Sequence, residues 1–211
     1  MKTTITYALP MSLTLVFALA GPVQAACEGQ HVLGASGALA NEKPDSLYTD
    51  NGDGTVTDKE TGLMWTKCAL PMDYVAQQGG GMGCDTSVGA TEYTSWAHAM
   101  NATEAANDDD QFGYDDWRLP NIKELASLAD LACNGSTAFG TGALNTDVFD
   151  LTVIKMVGGT PDSQYPSFLW SASTNINVQA EVRGMSVVDG ALPMLHKTNS
   201  AAAVMLVRNV D

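Results

Sequence analysis

One segment constrains the fold of this chain more than any other, because it joins a rigid turn to a capped amphipathic helix. It reads Asp-Trp-Arg-Leu-Pro-Asn-Ile-Lys-Glu-Leu over residues 116–125. Pro120 fixes the backbone before the helix without needing an amide donor. Asn121 is placed as the N-cap, and Glu124 can reach back to complete a capping box. The apolar face of this predicted helix consists of Ile122, Leu125, Ala126 and Ala129.

The first 25 residues have the pattern of an export signal. Lys2 supplies a basic start, residues 8–20 are largely apolar, and Val-Gln-Ala at 23–25 offers a small-residue cleavage site. The apolar run is shorter than the roughly 20 residues that a membrane-spanning helix needs. Lipidation of Cys27 is an alternative, but Gln24 stands where a lipobox carries an aliphatic residue. We therefore expect an exported protein, in the periplasm, secreted or at the cell surface, without a transmembrane anchor in the mature chain.

The chain is strongly acidic, with a formal net charge of −14 at pH 7. Such a balance repels the phosphate backbone of nucleic acids and anionic lipid surfaces. Nucleic acid is therefore not an expected partner. The length suits one domain, with residues 26–46 as an N-terminal leader and residues 47–211 as the domain proper.

All four cysteines lie beyond the predicted cleavage site, and an even number in an exported domain indicates two disulfides. Three pairings are open. We favour Cys68 with Cys84, because the Gly-rich segment 77–83 between them cannot form a core and needs closure. Cys27 would then pair with Cys133.

The pattern from residue 48 onward predicts short strands and two helices. The residues Asp-Asn-Gly-Asp-Gly at 50–54 favour a turn between two strands. A hairpin is expected from Thr55–Thr57 and Leu63–Trp65. A calcium loop is the alternative for this acidic turn, although its glycines occupy ligand positions. A first helix is expected to run to about Ala106, capped by Thr91 or Thr94.

The C-terminal third is expected to contribute further strands. Residues 134–146 are predicted as a loop, and residues 168–173 as a strand. A second hairpin is expected from residues 185–188 and 191–192, with Asp-Gly between them. The apolar run 203–207 is typical of a central strand buried on both faces.

The acidic segment 108–116 and the adjacent Trp117 contain the candidate site residues. Trp117, Gln111, Tyr114 and Asp115 are candidates for a ligand-binding groove, since an aromatic face can stack on a sugar ring. Asp108, Asp109 and Asp110 are the candidates for a calcium site, which makes calcium the cofactor to test. The alternative is a solvated loop in which Asp116 or Glu124 pairs with Arg118. Arg118, Pro120, Asn121 and Glu124 are predicted to be structural.

Three segments in order resemble the Lcl C-terminal domain family, which is named after a bacterial collagen-like adhesin. They are residues 50–65, residues 116–125, and Trp-Ser-Ala-Ser at 170–173 before Val207 and Arg208. The resemblance covers about residues 48–208. A weaker similarity to C-type-lectin-like and formylglycine-generating-enzyme-like folds implies an α+β domain: a small twisted antiparallel sheet, flanked by two helices, with long loops and paired terminal strands.

The resemblance implies a non-catalytic recognition or adhesin-like module that binds a glycan or a protein through its loops. The Glu-Pro-Asn and Gln-Pro-Asp motifs of calcium-dependent sugar-binding lectins are absent from the sequence. The last cysteine is Cys133, whereas the formylglycine-generating enzymes use a cysteine pair near the domain end. An enzyme with an acidic cleft and a purely structural envelope domain remain as alternatives.

Overall fold

A computed structural model describes most of the predicted domain. The described residues are 43–85, 87, 93–130, 143–145, 147–149, 156–157, 160–161 and 168–210. The predicted signal peptide, most of the leader, Cys27 and Cys133 lie outside these ranges, as does most of the loop predicted at 134–146. Over the described residues, no helix is both long and apolar enough to span a bilayer.

Helices and strands are mixed along the chain, which confirms the α+β class. The helices are α1 (Trp96–Asp108) and α2 (Ile122–Leu128). The strands are β1 (Tyr48–Asp50), β2 (Thr55–Asp58), β3 (Leu63–Thr66), β4 (Tyr74–Ala76), β5 (Met82–Cys84), β6 (Met156–Val157), β7 (Thr160–Pro161), β8 (Phe168–Thr174), β9 (Glu181–Ser186), β10 (Met194–His196) and β11 (Val207–Asn209).

The strands form two main antiparallel sheets rather than the one small sheet that we predicted. The first has the order β1-β2-β3-β11 and the second the order β10-β9-β8, with β4-β5 and β6-β7 as separate two-stranded pairs. The predicted first hairpin is confirmed, since Val56 pairs with Trp65. The expected pairing of the terminal strands is wrong, because β1 and β11 lie at opposite edges of the first sheet.

A buried segment, residues 202–206, connects the two sheets. The Trp170 amide of β8 donates to the Ala203 carbonyl at 3.0 Å, and the Thr66 amide of β3 donates to the Leu206 carbonyl at 3.0 Å. Every residue from 202 to 207 is at most 1% exposed. The predicted burial is therefore confirmed, but the predicted central strand is not, because the backbone divides its hydrogen bonds between two sheets and only Val207–Asn209 enters a ladder.

Helix α1 begins later than expected. Its N-cap is Ser95, whose hydroxyl accepts a hydrogen bond from the His98 amide, so the expected cap at Thr91 or Thr94 is wrong. Tyr93 is held in a bridge with Ala202, and the Trp96 amide donates to the Lys197 carbonyl at 2.8 Å. These bonds keep the chain extended until residue 95.

The second hairpin closes at the predicted Asp-Gly turn, where the Ser186 amide donates to the Ala191 carbonyl at 2.7 Å. Its paired strands extend beyond the predicted residues: they are β9 and β10, and Met194 pairs with Arg183. Val187 leaves the ladder because its carbonyl accepts a hydrogen bond from the Ala143 amide at 2.7 Å. The strand predicted at 168–173 is confirmed as β8.

The predicted turn into α2 is confirmed in detail, and we call residues 116–124 together with Val207 and Arg208 the corner. The Asn121 side chain accepts hydrogen bonds from the amides of Lys123 and Glu124, and the Glu124 carboxylate accepts one from the Asn121 amide. Each bond satisfies a backbone donor that an α-helix leaves unpaired at its start. The buried Pro120 contributes its carbonyl, which accepts a hydrogen bond from the Ala172 amide of β8.

Two ion pairs hold the corner. Arg118 donates two hydrogen bonds of 2.8 Å to the two carboxylate oxygens of Glu124, and its side chain is 40% exposed. We expected Arg118 to pair with either Asp116 or Glu124, and the structure shows the pair with Glu124. Asp116 instead accepts a 2.5 Å hydrogen bond from Arg208, whose side chain is 8% exposed. The buried guanidinium of the corner therefore belongs to the C-terminal strand.

Arg208 also contacts two apolar groups. Its guanidinium carbon lies 4.2 Å from the centre of the Tyr114 ring, and one of its nitrogens lies 3.7 Å from the Met64 sulfur. An arginine stacked on an aromatic face gains from both packing and the electrostatic attraction of the ring. Arg208 therefore joins the acidic segment to β3 and β11.

The predicted pairing of Cys68 with Cys84 is confirmed, with a Cα–Cα distance of 5.6 Å. This bond ties the end of β5 to the chain just after β3. The second predicted bond, between Cys27 and Cys133, concerns residues that lie outside the described part of the chain.

Candidate functional site

Three segments that are distant in sequence meet at one end of the four-stranded sheet, and we call this surface the loop end. They are the turn 50–54, the segment 67–74 after β3, and the acidic segment 108–116. Antiparallel pairing places the first two together, since the Lys67 amide donates to the Gly54 carbonyl at 2.8 Å. The third is joined to them by its own side chains.

The turn 50–54 uses its carboxylates as local hydrogen-bond acceptors. Asp50 accepts from the Gly52 amide at 2.9 Å, and Asp53 accepts from the amide and the hydroxyl of Thr55 at 2.9 and 2.6 Å. These are the bonds by which Asp stabilises a turn, so the predicted turn is confirmed. Among the described residues, no group of three or more His, Cys, Asp or Glu side chains is placed to hold a metal ion.

Lys67 connects the turn to the next segment. Its ammonium lies 2.8 Å from the Asp50 carboxylate, 3.3 Å from the Tyr74 hydroxyl and 5.1 Å from the centre of the Tyr74 ring. Burial would lower the pKa of Lys67, but the hydrogen bonds with Asp50 and Tyr74 outweigh it and raise the pKa above its ordinary value. The same hydrogen bond with Lys67 is the main reason that the pKa of Asp50 is lowered. Both groups are therefore charged at neutral pH.

The acidic segment reaches the other two through Gln111 and Phe112. The Gln111 side-chain amide donates to Asp73 at 2.6 Å. A Cβ added at Gly54, which has φ +95°, would lie 2.6 Å from both the Phe112 ring and the Tyr74 Cβ. Only glycine allows this approach.

Two residues of the acidic segment adopt a backbone conformation that is unusual for their type. Asp110 has φ 50° and Phe112 has φ 54°, in the left-handed region that disfavours residues with a Cβ. The Gly113 amide, which donates to the Asp110 carbonyl at 2.7 Å, helps to hold this shape. Strain of this kind persists only where surrounding contacts impose it, and here Phe112 is held over Gly54.

The predicted ligand-binding residues are brought together, but they differ in accessibility. Trp117 is 3% exposed, its indole N–H donates to the Gln111 carbonyl at 2.7 Å, and Tyr114 and Phe112 pack edge-on against it. Gln111 and Tyr114 are half-buried, and Asp115 is exposed. The Trp117 ring therefore packs beneath the acidic segment and has almost no contact with solvent. The more accessible of the four predicted residues are Gln111, Tyr114 and Asp115.

The predicted calcium residues Asp108, Asp109 and Asp110 are all exposed. Asp108 ends α1, Asp109 is its C-cap, and Asp110 follows in the left-handed conformation. Their role as calcium ligands stays a prediction.

A cavity of about 150 Å³ lies beside the loop end, on the β1 side. We call it the acidic cavity. Its lining consists of Asp45, Tyr48, Asp50, Val56, Lys67, Asp147 and Val148.

The sequence interpretation missed this cavity. Counting the antiparallel register would have placed Lys67 against the turn that begins at Asp50, but no local pattern connects either residue with Asp147, about a hundred positions away.

Comparison with known families identifies the domain. A family model described as the Lcl C-terminal domain matches residues 54–208, which is more than half of the chain. No curated protein and no solved structure matches the chain. The family resemblance is thus confirmed, whereas the C-type-lectin-like fold stays a prediction.

Proposed function

Because the chain belongs to the Lcl C-terminal domain family, we propose that it is an exported, non-catalytic recognition module, adhesin-like in character, that binds a glycan or protein ligand through its loop end. The family fits a recognition or adhesin-like domain at a coarse level. The disulfide between Cys68 and Cys84 is consistent with export, because such bonds persist in oxidising compartments.

One observation carries this proposal. Three loop segments are locked to one another by the Lys67–Asp50 pair, the Gln111–Asp73 hydrogen bond and the contact of Phe112 with Gly54. Loops that are fixed before binding lose little conformational entropy when a ligand arrives, which favours affinity. The neighbouring cavity adds the concave shape that ligand sites commonly have.

The test is a glycan array, read with and without calcium, that compares the wild-type protein with Gln111→Arg. The new side chain places bulk and charge on the loop end, so we expect it to abolish the selective binding of the wild type. The matched control is Asn177→Arg, which makes the same kind of change in the exposed turn between β8 and β9. Its binding should equal that of the wild type.

Other outcomes of this array separate the alternatives. Binding that survives Gln111→Arg and is lost in Asn177→Arg would contradict the proposed surface. Cleavage of an arrayed glycan would indicate an enzyme. The absence of binding to any glycan or partner protein would indicate a structural envelope domain. Calcium-dependent binding that is lost in Asp109→Asn would implicate the aspartates of the acidic segment.

Charge sets a limit on the class of glycan. With a formal net charge of −14, the protein repels polyanions over about a Debye length, roughly 8 Å at physiological salt. We therefore expect selective binding to neutral glycans and little binding to sulfated polysaccharides at physiological salt. Tight, salt-sensitive binding to a sulfated polysaccharide would overturn this expectation.

A further inference from the structure

We propose that the acidic cavity is a subsite for an alkylammonium group, such as the side chain of a lysine on a protein partner. The inference rests on the proposed recognition function and names one chemical group that the surface beside the loop end recognises. The charges that line the cavity, its apolar walls and the way its carboxylates are held each support it.

Carboxylates outnumber cations in the lining of the cavity. Among the described residues, Lys67 is the one cation in the lining, and it is engaged with Asp50 at 2.8 Å. Asp45 and Asp147 add two further carboxylates to the same lining. A cationic group that enters the cavity meets these carboxylates at short range, and the engaged ammonium of Lys67 is already neutralised by its partner.

The walls of the cavity suit a hydrocarbon chain. Val56 is 1% exposed and Val148 is 8% exposed, and both line the cavity together with Tyr48. A cavity of about 150 Å³ is large enough for a molecule of the size of benzene. Long cationic side chains bury an aliphatic stem and keep the charged end among polar groups. This division favours an alkylammonium ion over a bare metal ion.

Tyr48 lines the cavity, and its hydroxyl is itself buried. The residue is 6% exposed, and its hydroxyl has no hydrogen-bond partner within the described part of the chain. Its pKa lies well above the ordinary range, first because of burial and then because of the carboxylates of Asp58, Glu60 and Asp130. Tyr48 is therefore a neutral wall residue at neutral pH, and the carboxylates that line the cavity are the groups that recognise the cation.

Asn145 holds the Asp45 carboxylate and the backbone of Asp147 in place. Its side-chain amide donates to Asp45 at 2.7 Å, and its side-chain oxygen accepts from the Asp147 amide at 3.0 Å. The same amide group donates to the Lys43 carbonyl at 2.9 Å. One side chain thus positions acidic residues that are about a hundred positions apart, and the subsite is formed before a ligand binds.

The experiment is a titration of the ¹⁵N-labelled protein with n-butylammonium chloride, followed through the backbone amide signals of residues 45, 56 and 147. We expect saturable shifts that weaken as salt is added. Butanol and sodium butyrate at matched ionic strength should give none, because they share the chain but lack the positive charge. Asp45→Asn and Asp147→Asn should each weaken binding roughly 3- to 5-fold, which is the size of a partly exposed ion pair.

Glu104→Gln is the matched control, since it removes the same charge from an exposed position on α1, outside the cavity and the loop end. Its affinity for butylammonium should equal that of the wild type. An equal loss in Glu104→Gln would mean diffuse attraction to an acidic protein and would overturn the proposal. Saturable binding of butyrate, displacement of butylammonium by calcium at the same amides, or no saturable shift at all would also overturn it.

The two proposals can fail separately. Array binding that depends on Gln111, combined with no butylammonium binding, leaves the recognition module and removes the subsite. Butylammonium binding combined with a silent array leaves the subsite and removes the proposed glycan ligand, which directs the search to basic protein partners.

Discussion

The corner and the loop end of this domain use charged residues in opposite ways. In the corner both arginines pair with a carboxylate, Arg118 with Glu124 and Arg208 with Asp116, and both pairs fix backbone segments against one another. In the rest of the loop end and in the acidic cavity carboxylates outnumber cations, and among the described residues there Asp50 is the one that pairs with a cation, Lys67. The comparison indicates that ion pairs stabilise the fold at the corner, whereas an excess of carboxylates lies on the surface where we propose that a ligand binds.

The largest expected effect concerns the covalent bond behind the loop end. Replacing Cys68 and Cys84 together by alanine removes a closure between residues 16 positions apart. We expect a loss of about 3 kcal/mol in the free energy of unfolding, because the unfolded chain regains the entropy that the bond removes. Urea unfolding measures this loss. An unchanged unfolding midpoint would show that hydrogen bonds alone hold the loop end.

Arg208→Ala should have the next largest effect. It removes a buried guanidinium that stacks on Tyr114 and pairs with the half-exposed Asp116. We expect a loss of about 2 to 3 kcal/mol, less than for a fully buried pair because the remaining Asp116 stays solvated. Arg208→Lys, which keeps the charge but not the flat stacking surface, should recover only part of that loss. Full recovery would assign the effect to charge rather than to packing.

Arg118→Ala should lower the free energy of unfolding by less than Arg208→Ala does, although the hydrogen bonds of Arg118 are closer to ideal geometry. The Arg118 side chain is 40% exposed, so water replaces much of what the pair contributes. We expect a loss of about 1 kcal/mol or less in urea unfolding. A loss equal to that of Arg208→Ala would remove the distinction between the buried and the exposed pair.

The Arg118–Glu124 pair also predicts a dependence on pH. Burial raises the pKa of Glu124, but the hydrogen bonds from Arg118 and from the Asn121 amide outweigh it and lower the pKa below its ordinary value of 4.5. A carboxyl group with a lowered pKa stabilises the fold above its unfolded pKa, and this contribution is lost as the pH falls through its folded pKa. The difference in stability between the wild type and Glu124→Gln should therefore be largest at neutral pH and shrink in acid. A difference that grows in acid would contradict the assignment.

Local patterns were sufficient to predict much of the fold. The capping box of Asn121 and Glu124 depends on residues three positions apart, and the first hairpin on turn residues between two short apolar runs. The Cys68–Cys84 bond followed from a glycine-rich interval that cannot fold alone. In each case the interacting groups lie close in sequence, where spacing translates directly into geometry.

Features that depend on distant pairing escaped prediction. Arg118 was expected as the central structural cation of the corner, but the antiparallel bridge between Arg118 and Val207 brings Arg208 to the buried position instead. The apolar run 203–207 was predicted as a strand, whereas its amides and carbonyls bond to two different sheets. The acidic cavity combines residues 45–67 with Asp147 through Asn145, a contact that no local spacing indicates.

The contrast between corner and cavity is tested most directly by one pair of urea unfolding curves, recorded for Arg208→Ala and Asp147→Asn. The account predicts that Arg208→Ala lowers the free energy of unfolding by about 2 to 3 kcal/mol. Asp147→Asn should leave it unchanged or raise it slightly, because it relieves repulsion among the cavity carboxylates. Equal losses, or a larger loss in Asp147→Asn, would contradict the claim that the corner charges hold the fold and the cavity charges do not.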